Sequence, residues 1–255
     1  MLWALDLDGV VWLAGRAIRG SAEAVERLRA AGEQVVFLTN NSGPTVAEHV
    51  EHLGAAGVKA SPSELATSAQ AAAALLAPGS TAAVVGGEGV VEALTARGVE
   101  VVPASASPDA VVVGRSLALD YDELAAAATA VRAGARLVAT NTDSTFPTPD
   151  GPVPGAGALV AYLEVGAGRD ADVAGKPHQA TADLVRDRFG PPGIVVGDRP
   201  DTDGRFAVLV GAPFALVLTG VTRRADLPVD PAPELVAEDL AGVVNNVIGA
   251  RLRQR

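Results

Sequence analysis

The sequence predicts an α/β protein, a Rossmann-like parallel-sheet core carrying a large inserted α/β unit. Three observations carry this expectation. Short β-branched runs alternate with alanine-rich helical stretches from end to end, as parallel strands joined by right-handed crossover helices do. Runs such as Val35-Val36-Phe37-Leu38 are apolar without alternation, which suits strands covered on both faces. Two small, polar seams, Ala77-Pro78-Gly79-Ser80 and Gly166-Ala167-Gly168-Arg169-Asp170, bracket roughly 90 residues, enough for a domain of its own. The division expected is therefore core at 1–78, insertion at 79–171, and core again at 172–255.

The elements follow in order. Strands are expected at Leu2–Leu7, Gln34–Thr39, Thr81–Gly86, Val99–Val102, Ala110–Val113, Arg136–Thr140, Ile194–Gly197 and Ala215–Leu218, with a short one at Val173-Ala174. Ser21 is placed to cap a helix that Gly32 closes, and Pro44 to sit in the first turn of the next. Tyr121 to Val131 and Ala180 to Phe189 read as amphipathic helices, the second opened by Pro177. Gly157 to Val165 is apolar enough to be largely buried. No unit of 20–50 residues repeats, which excludes a solenoid.

Composition narrows the function. A chain of 255 residues, 49% apolar and 20% charged, has material for a sizeable core. Cysteine is absent, which removes disulfides, thiolate nucleophiles and Cys-ligated metals and fits a reducing compartment. No apolar run reaches transmembrane length, and the chain opens directly on a strand-like segment without a basic stretch before it, so a cytoplasmic location is expected. A formal charge of −10 argues against nucleic acid and anionic membranes as partners. Of the 20 basic residues only Lys59 and Lys176 are lysine, and a lysine that survives such a bias toward arginine draws inspection.

Four constellations carry chemistry, each at a strand's end, where open α/β sheets bind ligands. Asp6-Leu7-Asp8-Gly9 sets two carboxylates and a turn after an apolar strand; buried acids this close call for a divalent cation or a shared proton. Taken alone, such a pair equally describes two acids capping a strand in solvent. Thr39-Asn40-Asn41-Ser42 offers a hydroxyl, amides and backbone N–H groups suited to phosphate oxygens, or a plain polar turn. Gly175-Lys176-Pro177-His178 delivers the scarce lysine. Gly197-Asp198 through Asp201-Thr202-Asp203 supplies three acids, enough for one oxygen ligand and its support.

In this order the four resemble the haloacid dehalogenase-like (HAD) phosphatases, and more closely their NagD-like branch, which includes nitrophenyl-phosphatases and phosphoglycolate phosphatases. Further matching stretches are Ala66-Thr67-Ser68-Ala69, Val84-Val85-Gly86, Ala139-Thr140-Asn141, Pro154-Gly155-Ala156-Gly157 and Leu218-Thr219-Gly220-Val221, so the resemblance spans nearly the whole chain. It implies a HAD core with the insertion as a cap. It also implies a magnesium-dependent phosphomonoesterase working on a small phosphorylated metabolite through an aspartyl phosphate. Asp6 would be the nucleophile and Asp8 the general acid and then base. Thr39, Asn40 through its amide, and Lys176 would hold phosphoryl oxygens. Asp6, the Asp8 carbonyl and Asp198 would bind Mg2+, with Asp203 supporting them. A homodimer through the cap is a further expectation.

Two departures from the branch stand out. Gly204-Arg205 follows the last acid where aliphatic residues are usual, and an arginine there threatens the support Asp203 gives. Arg115 stands where an apolar residue is usual, either as a surface substitution or as a substrate contact. The polar loop Asn141–Val153 is expected to reach from the cap toward the leaving group. His49 and His52, spaced i,i+3, read as helix-surface residues, and His178, beside Lys176, is the one histidine with a plausible position in the pocket, its contact with substrate left open. Gly86-Gly87-Glu88-Gly89 lacks the full dinucleotide fingerprint. Competing readings are a catalytically retired phosphate-ligand sensor of the same fold, which has no need of a second acid, and a receiver domain, which the insertion fits poorly.

Overall fold

The computed structural model describes residues 1–252. Two parallel sheets organise it. The larger has six strands in the order Leu235–Ala237, Phe214–Val217, Ile194–Gly197, Leu2–Asp6, Gln34–Thr39, Leu65–Thr67. The central strand Leu2–Asp6 pairs in parallel with both neighbours, Leu5 opposite Val196 on one side and Asp6 opposite Leu38 on the other. That register brings the ends of Leu2–Asp6, Gln34–Thr39 and Ile194–Gly197 to one edge. Both faces are dry. Trp3, Leu5, Phe37 and Val196 pack with Leu28, Leu240 and Val243 on one side, and Ala4, Val36, Leu38 and Val195 with Val185 and Phe206 on the other. Uninterrupted apolar strands require that double cover, as the sequence indicates.

The second sheet has five strands, ordered Asp172–Val173, Arg136–Ala139, Ala110–Val113, Thr81–Val85, Glu100–Val101, all parallel. Val111, Val113 and Leu137 face Ala127, Val131, Val160 and Leu163 of two helices, Tyr121–Ala133 and Ala156–Ala167. Val112 and Val138 face the helices Glu88–Arg97 and Ser68–Ala74. The alanines of Ser68–Ala74 also share a cluster with Ala174, Ala180 and Leu184, so this short helix is wedged between the two sheets. The inserted sheet takes one strand more than expected: Asp172–Val173 pairs with Arg136–Ala139, and the chain returns to the larger sheet after it rather than at residue 172.

Expected strands are met to within a residue or two, and several local expectations are corrected. Leu65–Thr67 and Leu235–Ala237 are too short to show a period. Two hairpins, Trp12–Leu13 with Arg16–Ala17 and Thr145–Thr148 with Gly151–Pro154, are hidden by length and, in the second, by prolines that only an isolated edge ribbon tolerates. Ser21 caps nothing; its hydroxyl donates to the Val10 carbonyl and Gly20 holds the cap position. Thr45, not Pro44, opens Val46–Ala55, in a capping box with Glu48. Pro177 precedes rather than opens Gln179–Phe189. The apolar helix Ala156–Ala167 is only half covered, leaving Val165 85% exposed. No helix among the described residues is long and apolar enough to cross a membrane.

Candidate active site

Asp6 ends the central strand, and Gly9, at φ +83°, turns the chain back across the sheet edge. Only glycine fits there: a Cβ would lie 2.5 Å from the Asp198 carboxylate carbon. Asp198 follows the neighbouring strand Ile194–Gly197, so register and turn together set two acids side by side. Lys176 arrives from beyond the second sheet. Its Nζ donates to Asp6 Oδ1 at 2.8 Å and to Asp203 Oδ1 at 2.7 Å, all three side chains being buried. Burial opposes the charge on Lys176, but Asp203 and Asp6 outweigh it and hold the ammonium protonated beyond the ordinary lysine range.

One ammonium does not balance three acids. Ligand oxygens of Asp6, Asp198 and Asp203 all lie within 4.8 Å of one another. Burial pushes the Asp6 carboxyl up, Lys176 pulls it back, and Asp203 and Asp198 push it up again. Burial and then Asp203 push Asp198 up to about 7, against the Val221 amide, which donates to its Oδ2 at 2.5 Å. Asp198 Oδ1 is buried with no hydrogen-bond partner. An orphaned buried acceptor inside a cluster of hard oxygens fits a divalent cation of the magnesium or calcium kind.

Asp8 stands apart from that cluster. Trp12 Nε1 donates to its Oδ1 at 3.1 Å, and burial raises its pKa to about 6 in spite of that bond. Thr39 Oγ1 accepts from the Asn41 amide at 3.0 Å, which leaves the hydroxyl proton to donate elsewhere. The Asn40 side chain is a clamp: Oδ1 accepts from the Lys176 amide at 2.9 Å, while Nδ2 donates to the Lys176 carbonyl and to Asp143 Oδ1, each at 3.1 Å. The Asn40 carbonyl accepts from Ser68 Oγ and from Asn141 Nδ2. Ser42 Oγ bonds Thr140 Oγ1 at 2.9 Å and accepts from the Arg115 amide. Strand ends of both sheets are thus tied together around one cleft of about 600 Å³, part of it open to solvent.

Asp6, Asp8, Thr39, Asn40, Lys176 and Asp198 all line the cleft, and Asp203 lies buried behind them. Part of the Asn141–Val153 loop lines it too, through Asn141, Asp143, Thr145, Phe146 and Pro147. So does Arg115, but not His178. Arg205 points into solvent, so the departure at 204–205 leaves Asp203 undisturbed. His49 is corrected from the surface to the interior, where it is 1% exposed and its Nε2 bonds the Asn41 carbonyl at 3.1 Å. Sequence reasoning passed over Trp12, Arg199 and the Val221 amide. An indole four residues after a carboxylate is a signal for the first; nothing local marks the others.

Residues 3–100 match the model of the haloacid dehalogenase-like hydrolases, and residues 173–243 a second, HAD-hydrolase-like model. An acid sugar phosphatase of Staphylococcus haemolyticus is 33% identical over 231 residues, covering 88% of either chain. The chain belongs to the haloacid dehalogenase-like hydrolases. Within them it groups with phosphatases. D-glycerol 3-phosphate phosphatase of Mycobacterium tuberculosis is 40% identical over 87% of this chain, which spans 64% of that relative's length. A p-nitrophenyl phosphatase from Archaeoglobus fulgidus superposes with a TM-score of 0.89 at 31% identity, covering 96% of this chain and 98% of its own. The mycobacterial glycerol phosphate phosphatase, at TM-score 0.88 and 37% identity over 95% of this chain and about three quarters of its own, has been solved with calcium and with magnesium.

Proposed function

We propose that this hydrolase is a magnesium-dependent phosphomonoesterase that releases phosphate from a small metabolite through an aspartyl phosphate on Asp6. The observation that carries the reading is Lys176 between Asp6 and Asp203, beside the partnerless oxygen of Asp198. The ammonium neutralises part of the acid cluster and leaves a place for a cation, and phosphoryl transfer depends on positioning and charge neutralisation. Asp6, Asp198 and the Asp8 carbonyl would hold the metal, with Asp203 anchoring Lys176; when bound, it offsets charge on the phosphate and on the acids facing it.

Asp6 Oδ1 is engaged by Lys176, so the other carboxylate oxygen attacks phosphorus as the bond to the leaving oxygen breaks. Asp8 gives its proton to that oxygen. In the second half a water attacks the phosphoryl group, Asp8 takes the proton back, and the Asp6–phosphorus bond breaks. An acid raised to about 6 serves both directions near neutral pH. The Thr39 hydroxyl, the Asn40 amide and Lys176 hold the phosphoryl oxygens. The hairpin Thr145–Thr148 with Gly151–Pro154 contributes Thr145, Phe146 and Pro147 above the leaving group, which limits water and substrate size. Phosphate release from a generic aryl phosphate, lost with EDTA and restored by magnesium, is the test. Release undiminished in metal-free buffer contradicts it.

A further inference from the structure

Three cations line the cleft, and two are engaged by acids. Lys176 pairs with Asp6 and Asp203, and Arg199 pairs with Asp201. Arg115, among the described residues, pairs with no carboxylate; its guanidinium carbon sits 3.8 Å above the centre of the Phe146 ring. This half-buried arginine shares the cleft lining with Asp6, Asp8, Asp143 and Asp198; it attracts Asp8 through space but makes an ion pair with none of them.

Its position is also fixed against the phosphate site. The Arg115 amide donates to Ser42 Oγ at 3.1 Å, and Ser42 belongs to the turn that carries Thr39 and Asn40. Phe146 holds the other end, through a stack that orients the planar fork without using its N–H donors. Anchored at both ends, the guanidinium lines the same cleft as Asp8, which it attracts through space and which would protonate the leaving oxygen. We infer that Arg115, braced by Phe146, selects substrates whose leaving group carries a carboxylate. One unpaired cation balances one negative charge, whereas a second phosphate dianion would add excess charge to a cleft already rich in acids. The carboxylate matches the fork in a bidentate way. This rests on the phosphomonoesterase reading above and assigns its substrate class.

The test uses a matched pair, 3-phosphoglycerate and glycerol 3-phosphate, which differ in carboxylate against hydroxymethyl, with an aryl phosphate as a third substrate. The wild-type enzyme is expected to favour the carboxylate of the pair in kcat/KM. Arg115→Met, which keeps much of the packing and loses the charge, should lower the ratio of the two about tenfold or more. Arg115→Lys should restore part of that ratio, since charge returns without the fork, and Phe146→Leu should lower it less than Arg115→Met. An unchanged ratio in Arg115→Met, with thermal unfolding showing a folded protein, overturns the inference, as does a wild-type preference for glycerol 3-phosphate, whose leaving group is uncharged. Phosphate release across the three substrates separates the two levels: if the wild-type enzyme releases phosphate from none of them, the phosphomonoesterase reading fails and the inference falls with it.

Discussion

Asn40 and Asp143, 103 residues apart in the chain and carried by different sheets, meet in a 3.1 Å hydrogen bond across the cleft. The same Asn40 amide group holds Lys176 by its backbone carbonyl. A residue of the inserted unit is therefore coupled to the lysine that would serve the phosphate. Asp143 is thereby removed from the residues that only sense the leaving group. Asp143→Ala is expected to lower kcat/KM on every substrate together, by about tenfold, because the clamp on Lys176 loosens. Comparing a large metabolite with a small aryl phosphate checks it; a loss confined to the large one contradicts the coupling.

Asp6→Asn should abolish turnover and leave the fold intact. The amide is nearly isosteric, does not attack phosphorus, and relieves repulsion within the cluster of Asp6, Asp198 and Asp203. No phosphate release from freshly purified variant, with deamidation excluded by mass, and a thermal midpoint no lower than that of the parent are the expected results; near-normal release would contradict Asp6 as the nucleophile.

Asp8→Asn should bind substrate but slow both chemical steps, by about 100-fold or more for alkyl phosphates. Aryl phosphates, whose leaving oxygen needs less protonation, should suffer less. Equal losses on the two classes would count against Asp8 as the acid.

Lys176→Ala leaves Asp6 and Asp203 buried without their shared cation, a loss of about 3–5 kcal/mol for a broken buried pair. Lower stability in denaturant and depressed turnover on all substrates are expected. Added magnesium should recover part of the stability, because the same acids attract it.

His49 sets a pH dependence of stability. Burial lowers its pKa from 6.5 to about 4. Between those values the unfolded chain binds the proton and the folded one does not, so stability is full above about 6.5 and falls as pH drops toward 4. The loss approaches about 3 kcal/mol at the acid end. Urea unfolding of wild type and His49→Gln at pH 7 and pH 4.5 checks it: the difference between the two proteins should shrink or reverse at the lower pH. Parallel curves would contradict the assignment.

Much of the fold is legible because its physics is local. Val35 to Leu38 and Ala110 to Val113 are too apolar and β-branched to lie anywhere but inside a sheet covered on both faces. The short edge strands and proline hairpins are not legible, since their pairing comes from a neighbour rather than from any period of their own. His49 was misplaced for a similar reason. A helix shows which residues share a face, but only its packing decides that this histidine turns inward to the Asn41 carbonyl.

By itself the sequence set acids, a hydroxyl, amides and a lysine at the ends of apolar strands. Asp6, Asp8, Thr39, Asn40, Lys176 and Asp198 stand at or just past strand ends, which share one edge in a parallel sheet, and they line one cleft; it is the order of the four motifs, through the resemblance to the HAD phosphatases, that singles them out. Only the tertiary structure decided how those groups divide the charge. Lys176 could have lain beside any acid. Its place between Asp6 and Asp203, the bare oxygen of Asp198 and the unpaired Arg115 over Phe146 all follow from contacts between segments far apart in the chain. Ion pairing depends on distances of a few ångströms, and those distances are set by packing.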